Sequence, residues 1–456
     1  MARIVVCGAG VCGLVTAMLL AGDGHDVTVL ERDPTPPPHD PDAAWEEWER
    51  RGVNQFRLPH FLMPGFRELM DAELPLVIEE LLACGANRFN PLGVFADAMD
   101  PAGDHVVVTA RRPVVEAAVA RAADRTARLT VRRGVAVEGV LVQGSHVVGL
   151  RTEGGEEVRA DLVVDAGGRR SPLARWLVEA GLPEPILEEE DSGLVYYGRH
   201  VRRPEGSDGD QPRVAWYGSV GLLTLPADRG NVGVGIIASA KDAELRPLRH
   251  EGPWRAVMAM LPGGPDLLEC ESSSDLVAMA AIEDRWRTFV VDGRPVATGV
   301  VSVADAWAAT NPTLGRGITL GSMHAVALRD VVREMGTDDA EGLVRRFDDV
   351  TQERFTPWYR ATVWHDRHRL GELDDAMSGV ERPFDEEWER YRRFEAAAST
   401  DPGLVTRMFD GMHLRETPLE LIRDPAIVAR LDELGAKVPP PDGPTRRELL
   451  AAIAAA

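Results

Sequence analysis

Lysine is almost missing from this chain. Only Lys241 and Lys437 occur, so 49 of the 51 basic residues are arginine. Chemistry that needs an ε-ammonium group is confined to those two positions. Cysteine is scarce as well: Cys7, Cys12, Cys84 and Cys270 are all there are in 456 residues. That is too sparse for a disulfide scaffold, and the spacing suits no metal, so a reducing, cytoplasmic setting is expected. Positive charge is in deficit, with 51 basic against 73 acidic residues and a formal charge of -22. A nucleic-acid binder needs a net basic face, and an anionic membrane surface attracts one too, so both are excluded. Long apolar runs are absent. Residues 11–21 are interrupted by Gly13 and Thr16 and fall short of the roughly 20 residues a membrane span needs. No cleavable signal peptide is expected at the N-terminus. No G-x-S-x-G occurs, and neither a metal site nor a Ser-His-Asp triad is expected.

What remains is an ordinary globular composition, 44% hydrophobic and 27% charged, long enough for about two to four domains. The opening residues carry the clearest pattern. Ile4-Val5-Val6-Cys7 reads as a buried parallel strand, Gly8-Ala9-Gly10-Val11-Cys12-Gly13 as a turn into a helix, and Val27 to Leu30 as a second strand ending at Glu31-Arg32. In this G-x-G-x-x-G, Gly8 makes the tight turn. Gly10 lets a pyrophosphate approach the backbone, and Gly13 lets helix and strand pack closely. The phosphates would sit on the helix N-terminus, where free N–H groups point at them. Glu31 is placed to accept ribose hydroxyls, with Arg32 beside it. Cys12 packs against the cofactor.

Two later motifs decide between FAD and NAD. Asp165-Ala166-Gly167-Gly168-Arg169-Arg170-Ser171 follows an expected buried strand at 161–165. Asp305-Ala306, followed by Pro312, Gly315, Arg316, Gly317 and Ile318, opens a long helix expected from about 318 to 334. An aspartate there can bind a ribityl hydroxyl. Glycines at a helix start can stabilise the negative charge that develops at a reduced flavin edge. A nicotinamide needs neither device.

On these residues the chain resembles the FAD-dependent monooxygenases of the aromatic-hydroxylase and squalene-epoxidase type. Flavin-dependent halogenases and geranylgeranyl reductases share that fold. The resemblance is good over 3–35, 105–180 and 285–335 and loose elsewhere. It implies an α/β fold: a Rossmann-like FAD-binding domain of glutathione-reductase type, interleaved with an antiparallel-sheet substrate domain, plus a helical C-terminal region. The expected boundaries are 1–185 (with an insertion at 40–105 near the flavin), 186–285, 286–336 and 337–456. The resemblance places a phosphate-binding arginine at Arg112, with Arg111 as competitor, and an adenine-flanking position at Val137. Its D-G motif falls on Asp165 and Gly168 and its G-D motif on Asp305. Ala304 stands where the family has glycine. Gln55 falls in a loop near the isoalloxazine. Arg57, His60, Tyr197 (with Tyr196), Trp216 and Trp307 are the candidates for the substrate side.

The resemblance implies that NAD(P)H, or a partner flavin reductase, supplies electrons. O2 then adds at flavin C4a to give a hydroperoxide, which hydroxylates or epoxidises a small hydrophobic or aromatic metabolite of secondary metabolism. No catalytic side chain is assigned. The rivals are a saturating reductase of the geranylgeranyl type, a halogenase and a non-catalytic flavoprotein. A halogenase needs a tunnel lysine, and no lysine precedes residue 241.

Overall fold

Strand β1 (Arg3–Cys7) is buried on both faces at Ile4, Val5 and Val6, as a strand inside a parallel sheet must be. The computed structural model describes residues 1–456 except 51, 54, 94, 95, 101, 205–211, 381, 440 and 441. Asn54 of the flavin-loop segment and Pro440 and Pro441 of the late proline run lie outside the described residues.

After β1 come helix α1 (Val11–Gly22), strand β2 (Asp26–Glu31), helix α2 (Arg112–Asp124) and strands β3 (Leu129–Arg133) and β4 (Leu162–Asp165). Four antiparallel strands follow: β5 (Leu194–Arg202), β6 (Arg213–Tyr217), β7 (Val220–Pro226) and β8 (Asn231–Ser239). The chain then returns through β9 (Val300–Ser302) and helix α3 (Gly317–Met335). It ends in helices that include α4 (Thr356–Ser378), α5 (Glu386–Ala398), α6 (Pro402–Met412), α7 (Pro418–Arg423) and α8 (Arg446–Ala455).

The first sheet is parallel, in the order β9-β4-β1-β2-β3. Cys7 lies opposite both Leu30 and Asp165, and Asp165 lies opposite Ser302. The carboxyl ends of four strands therefore stop at one level. The chain runs one way from β1 through β2 to β3 and then crosses to β4, so the strand order reverses between β1 and β4. That crevice is where open α/β sheets bind ligands. Helices α1, α2 and α3 cover one face of this sheet in a continuous apolar core.

The second sheet runs β6-β7-β8-β5 and is extended by Glu271–Ser272 and Val277–Met279 pairing with β5. Both faces are covered, so β5 and β8 are buried almost throughout rather than alternating. The cover on one face adds helices to the antiparallel sheet expected over 186–285. Ala243–Arg249, Glu251–Met258 and Gly264–Leu268 are helical turns and helices. Their Leu245, Leu248, Trp254, Val257 and Met258 pack on Tyr197, Leu222, Val234 and Ile236, and Leu449 of α8 joins the same core. Three smaller features lie outside the two sheets. Val290–Val291 forms a half-buried hairpin with Arg294–Pro295, apart from the parallel sheet. Val107–Thr109 pairs with Asn87–Phe89 outside the parallel sheet. Pro402 and Pro418 open helices, because the first helical turn needs no proline N–H.

Candidate active site

The three glycines of the first turn do three different things. Gly8 has φ +109°, and a Cβ there would lie 2.6 Å from the Ala166 carbonyl oxygen. A Cβ on Gly13 would lie 2.2 Å from the Gly8 carbonyl oxygen, so strand and helix touch there. A Cβ on Gly10 would meet nothing within 4 Å; the space above it is open. Gly10 is also the N-cap of α1 and supplies no side-chain cap, which leaves the first N–H groups of the helix for a ligand.

Ala9 is buried behind the turn and does not line the cavity, but its N–H donates to Glu31 Oε2 at 2.8 Å. Glu31 also accepts from Arg50 Nη2 (2.5 Å) and from the Asp33 N–H (3.0 Å). Arg50 reaches Glu116 (2.5 Å), Asp33 (3.2 Å) and the Ala9 carbonyl (2.9 Å) as well. Arg112 Nε closes the chain on Glu116 at 2.8 Å. Arg50 was not among the expected site residues. It stands in the charged run 46–51, which reads like a solvated face. Arg112 lines the cavity, whereas its competitor Arg111 is buried against Asp228 at 2.7 Å, beneath Trp45. Arg32 is exposed at the rim with its guanidinium against Gly52, and Val137 lines the same end.

At the other end of the crevice, Gly168, Asp305, Pro312, Gly315, Arg316, Gly317 and Ile318 line the cavity together with Cys12 and Gln55. Asp165 does not. Its oxygens are taken by the Gly167 N–H (3.0 Å), Ser171 Oγ (2.5 Å) and Ser302 Oγ (3.1 Å), so it holds the turn in place rather than facing a ligand. The Asp305 carboxylate, by contrast, accepts no hydrogen bond from the described residues. Burial raises its pKa, against the pull of Arg169, Arg112 and Arg287. The Cys12 thiol is pushed up to about 12, chiefly by burial, and stays neutral beside the Ile318 carbonyl.

Ala304 adopts φ +53°, the left-handed region in which glycine is cheap and a Cβ is not. Its N–H donates to His324 Nδ1 (3.2 Å), and His324 Nε2 faces Thr351 Oγ1 (2.9 Å). Thr351 Oγ1 itself donates to the Phe347 carbonyl. The ring therefore carries its proton on Nε2 and is neutral, in line with a pKa pushed down to about 3 by burial.

Of the substrate-side candidates, His60 and Trp307 line the cavity. His60 is half-buried; desolvation lowers its pKa to about 3, and its Nδ1 has no hydrogen-bond partner among the described residues. Three candidates lie elsewhere. Arg57 bonds the Trp48 carbonyl and stacks over Trp45. Trp216 packs on Gly221 under the guanidinium of Arg369. Tyr197 points into the opposite core, because successive residues of a strand face opposite sides. Its neighbour Tyr196 faces the cavity and bonds Asn311 Oδ1 at 2.8 Å.

One cavity of about 1750 Å³ joins all of this. It runs from the glycine turn past Asp305 and the start of α3 to apolar walls that include Phe394, Met408, Phe409 and Leu421. The open space over Gly10, the uncapped helix start, Arg112 and the unpartnered Asp305 carboxylate fit the parts of FAD in order. Among the described residues, no cluster of His, Cys, Asp and Glu could hold a metal, and no helix is long and apolar enough to cross a membrane.

Comparison with known proteins gives a consistent result. The FAD dependent oxidoreductase (DAO) family matches residues 3–48. The chain is 28% identical over 436 residues to Protein Rv3254 of Mycobacterium tuberculosis, covering 88% of this chain and 87% of that protein. Among solved structures it is similar to PqsL of Pseudomonas aeruginosa, described as a probable FAD-dependent monooxygenase (TM-score 0.61, 17% identity, 82% of this chain and 97% of the other). It is similar to 2-methyl-3-hydroxypyridine-5-carboxylic acid oxygenase (TM-score 0.58, 17% identity, 81% and 92%). It is similar also to CmlS, a flavin-dependent halogenase (TM-score 0.58, 19% identity, 95% and 70%). The N-terminal match and the shared fold together support an FAD-dependent oxidoreductase built on the fold of the FAD-dependent monooxygenases.

Proposed function

We propose that the protein is an FAD-dependent monooxygenase that places one oxygen atom of O2 on a hydrophobic or aromatic metabolite, by hydroxylation or epoxidation. The observation that carries this reading is the single cavity running from a dinucleotide turn into an apolar chamber. FAD, once bound, supplies the redox chemistry with O2, using electrons from NAD(P)H or a partner flavin reductase. The chain's own share is binding, orientation and exclusion of water. Gly10, the start of α1 and Arg112 hold the pyrophosphate. Glu31, fixed by Arg50, takes a ribose hydroxyl, and Asp305 takes a ribityl hydroxyl. The N–H groups at the start of α3, near Gly317, would stabilise the negative charge that FAD acquires on reduction. His324 acts as a neutral prop for Ala304. The apolar walls keep water from the reacting centre.

The purified protein should be yellow, should oxidise NADH or NADPH directly or through a flavin reductase, and should take up O2 when its substrate is present. Turnover under strict anaerobiosis would overturn this in favour of a saturating reductase of the geranylgeranyl type. Bound FAD that no donor reduces would point to a non-catalytic flavoprotein. An Asp305→Ala variant should release FAD about 10- to 100-fold more readily, the range for a hydrogen bond to a charged group; unchanged retention would remove Asp305 from the site. Halogenation is disfavoured because no lysine lines the cavity. Lys241 is largely exposed and paired with Asp374, and Lys437 is exposed.

A further inference from the structure

Arg316 is the one lining residue from 316 onward that carries a positive charge, since His324 is neutral. Its backbone stays beside Gly315 and Gly317, but its side chain turns away from α3 toward α4. Nη1 donates to Thr362 Oγ1 at 3.4 Å, and the guanidinium lies 5.2 Å over the Trp358 ring. Thr362 Oγ1 spends its own proton on the Trp358 carbonyl. No carboxylate of the described residues comes within 4 Å of this guanidinium. The buried arginines differ: Arg50, Arg111, Arg199, Arg329 and Arg369 each sit on carboxylates, and Arg287 is spent on the carbonyls of Arg169, Asp305 and Ala306, whereas half-buried Arg316 has neither kind of partner among the described residues. The nearest buried acid, Asp366, is no substitute. It bonds Asn311 and His365, and burial pushes its pKa up to about 7. A half-buried cation among apolar walls gains from a counter-charge that the described residues do not supply.

We propose, building on the monooxygenase reading, that the substrate is an apolar molecule bearing one carboxylate, and that Arg316 binds that carboxylate. A single guanidinium with no second cation beside it matches a monoanion; a phosphate dianion would ask for another positive charge. The apolar body follows from Phe61, Met63, Phe394, Met408, Phe409 and Leu421 on the chamber walls. Its bulk follows from size. A pocket for one drug-sized ligand holds about 300–1,000 Å³, and this cavity of about 1750 Å³ leaves room for a second large occupant beside a dinucleotide.

The test titrates the holoprotein by calorimetry with 1-pyrenebutanoate and with the neutral 1-pyrenebutanol. The acid should bind at least tenfold more tightly. Arg316→Met should lose that preference, with alcohol binding and the FAD-to-protein ratio unchanged, and Arg316→Lys should recover part of it. Equal binding of both probes, or binding of neither, overturns the proposal. Loss of FAD in Arg316→Met overturns it too, because the guanidinium would then serve the cofactor. A wild-type protein that never holds FAD but still prefers the acid would sink the monooxygenase reading and leave this one standing.

Discussion

Ala304 holds a backbone conformation that disfavours its own side chain. The left-handed region costs a residue with a Cβ about 1–2 kcal/mol, while glycine gives back part of that as unfolded-chain freedom. An Ala304→Gly variant should therefore be as stable as the parent or up to about 1 kcal/mol more stable, read from urea midpoints; a clear loss would mean the methyl packs productively. Gly321 makes the room for that methyl. A Cβ on Gly321 would lie 2.7 Å from the Ala304 Cβ and 2.6 Å from Cys12 Sγ. Gly321→Ala should therefore cost about 1–3 kcal/mol and loosen the floor of the flavin site, seen as easier FAD release. At this scale the sequence was legible where chemistry needs a particular residue at a particular spacing, as at Gly8, Gly10, Gly13 and Asp305. It was not legible where a side chain's direction decides. Tyr196 and Tyr197 are adjacent and chemically alike, and only the sheet tells which one faces the cavity. Arg50 looked like any charge in an acidic run until folding placed Glu31, Asp33 and Glu116 around it.

The segment 310–316 is clamped from two sides. The Asn311 N–H donates to Asp284 at 2.6 Å, and its side chain donates to Asp366 at 3.2 Å while accepting from Tyr196. Burial raises both carboxyls to about 7, and Asp366 adds to the shift of Asp284. In the unfolded chain both titrate near 4. Between those values the folded state holds more protons, so the stability they contribute is present below about pH 4 and lost as pH rises toward 7. Against an Asp366→Asn variant, the wild type should compare better at pH 5 than at pH 8 in urea unfolding. The same difference at both pH values would show that this carboxyl does not titrate there. Elements were legible in the same uneven way. The βαβ unit and α3 have strong periodicity and glycine punctuation. Between 243 and 268 the spacings of Leu245 with Leu248 and of Trp254 with Val257 and Met258 are helical, but Pro247, Gly252-Pro253 and Pro262 to Pro265 cut them into pieces too short to stand out as helices.

Across the whole molecule, the last helix packs far from its sequence neighbours. Leu449 of α8 is fully buried in the core of the second sheet, and Arg446 pairs with Asp242 at 2.5 Å. Leu449→Ala should cost about 2–5 kcal/mol and lower the thermal midpoint, with the first sheet's FAD content unchanged at low temperature. No local pattern announces this docking, because an alanine-rich amphipathic helix fits many apolar faces.

The interleaving also sets a timetable. Among the described residues the outer side of β4 is paired only by β9, and β9 ends at Ser302. During synthesis at about 5–20 residues per second, the roughly 140 residues between them keep that edge waiting for about 7–30 s. The nascent chain thus carries an unpaired apolar strand edge while the second sheet is still being made, which is the period when it is most open to wrong pairing and to chaperone capture.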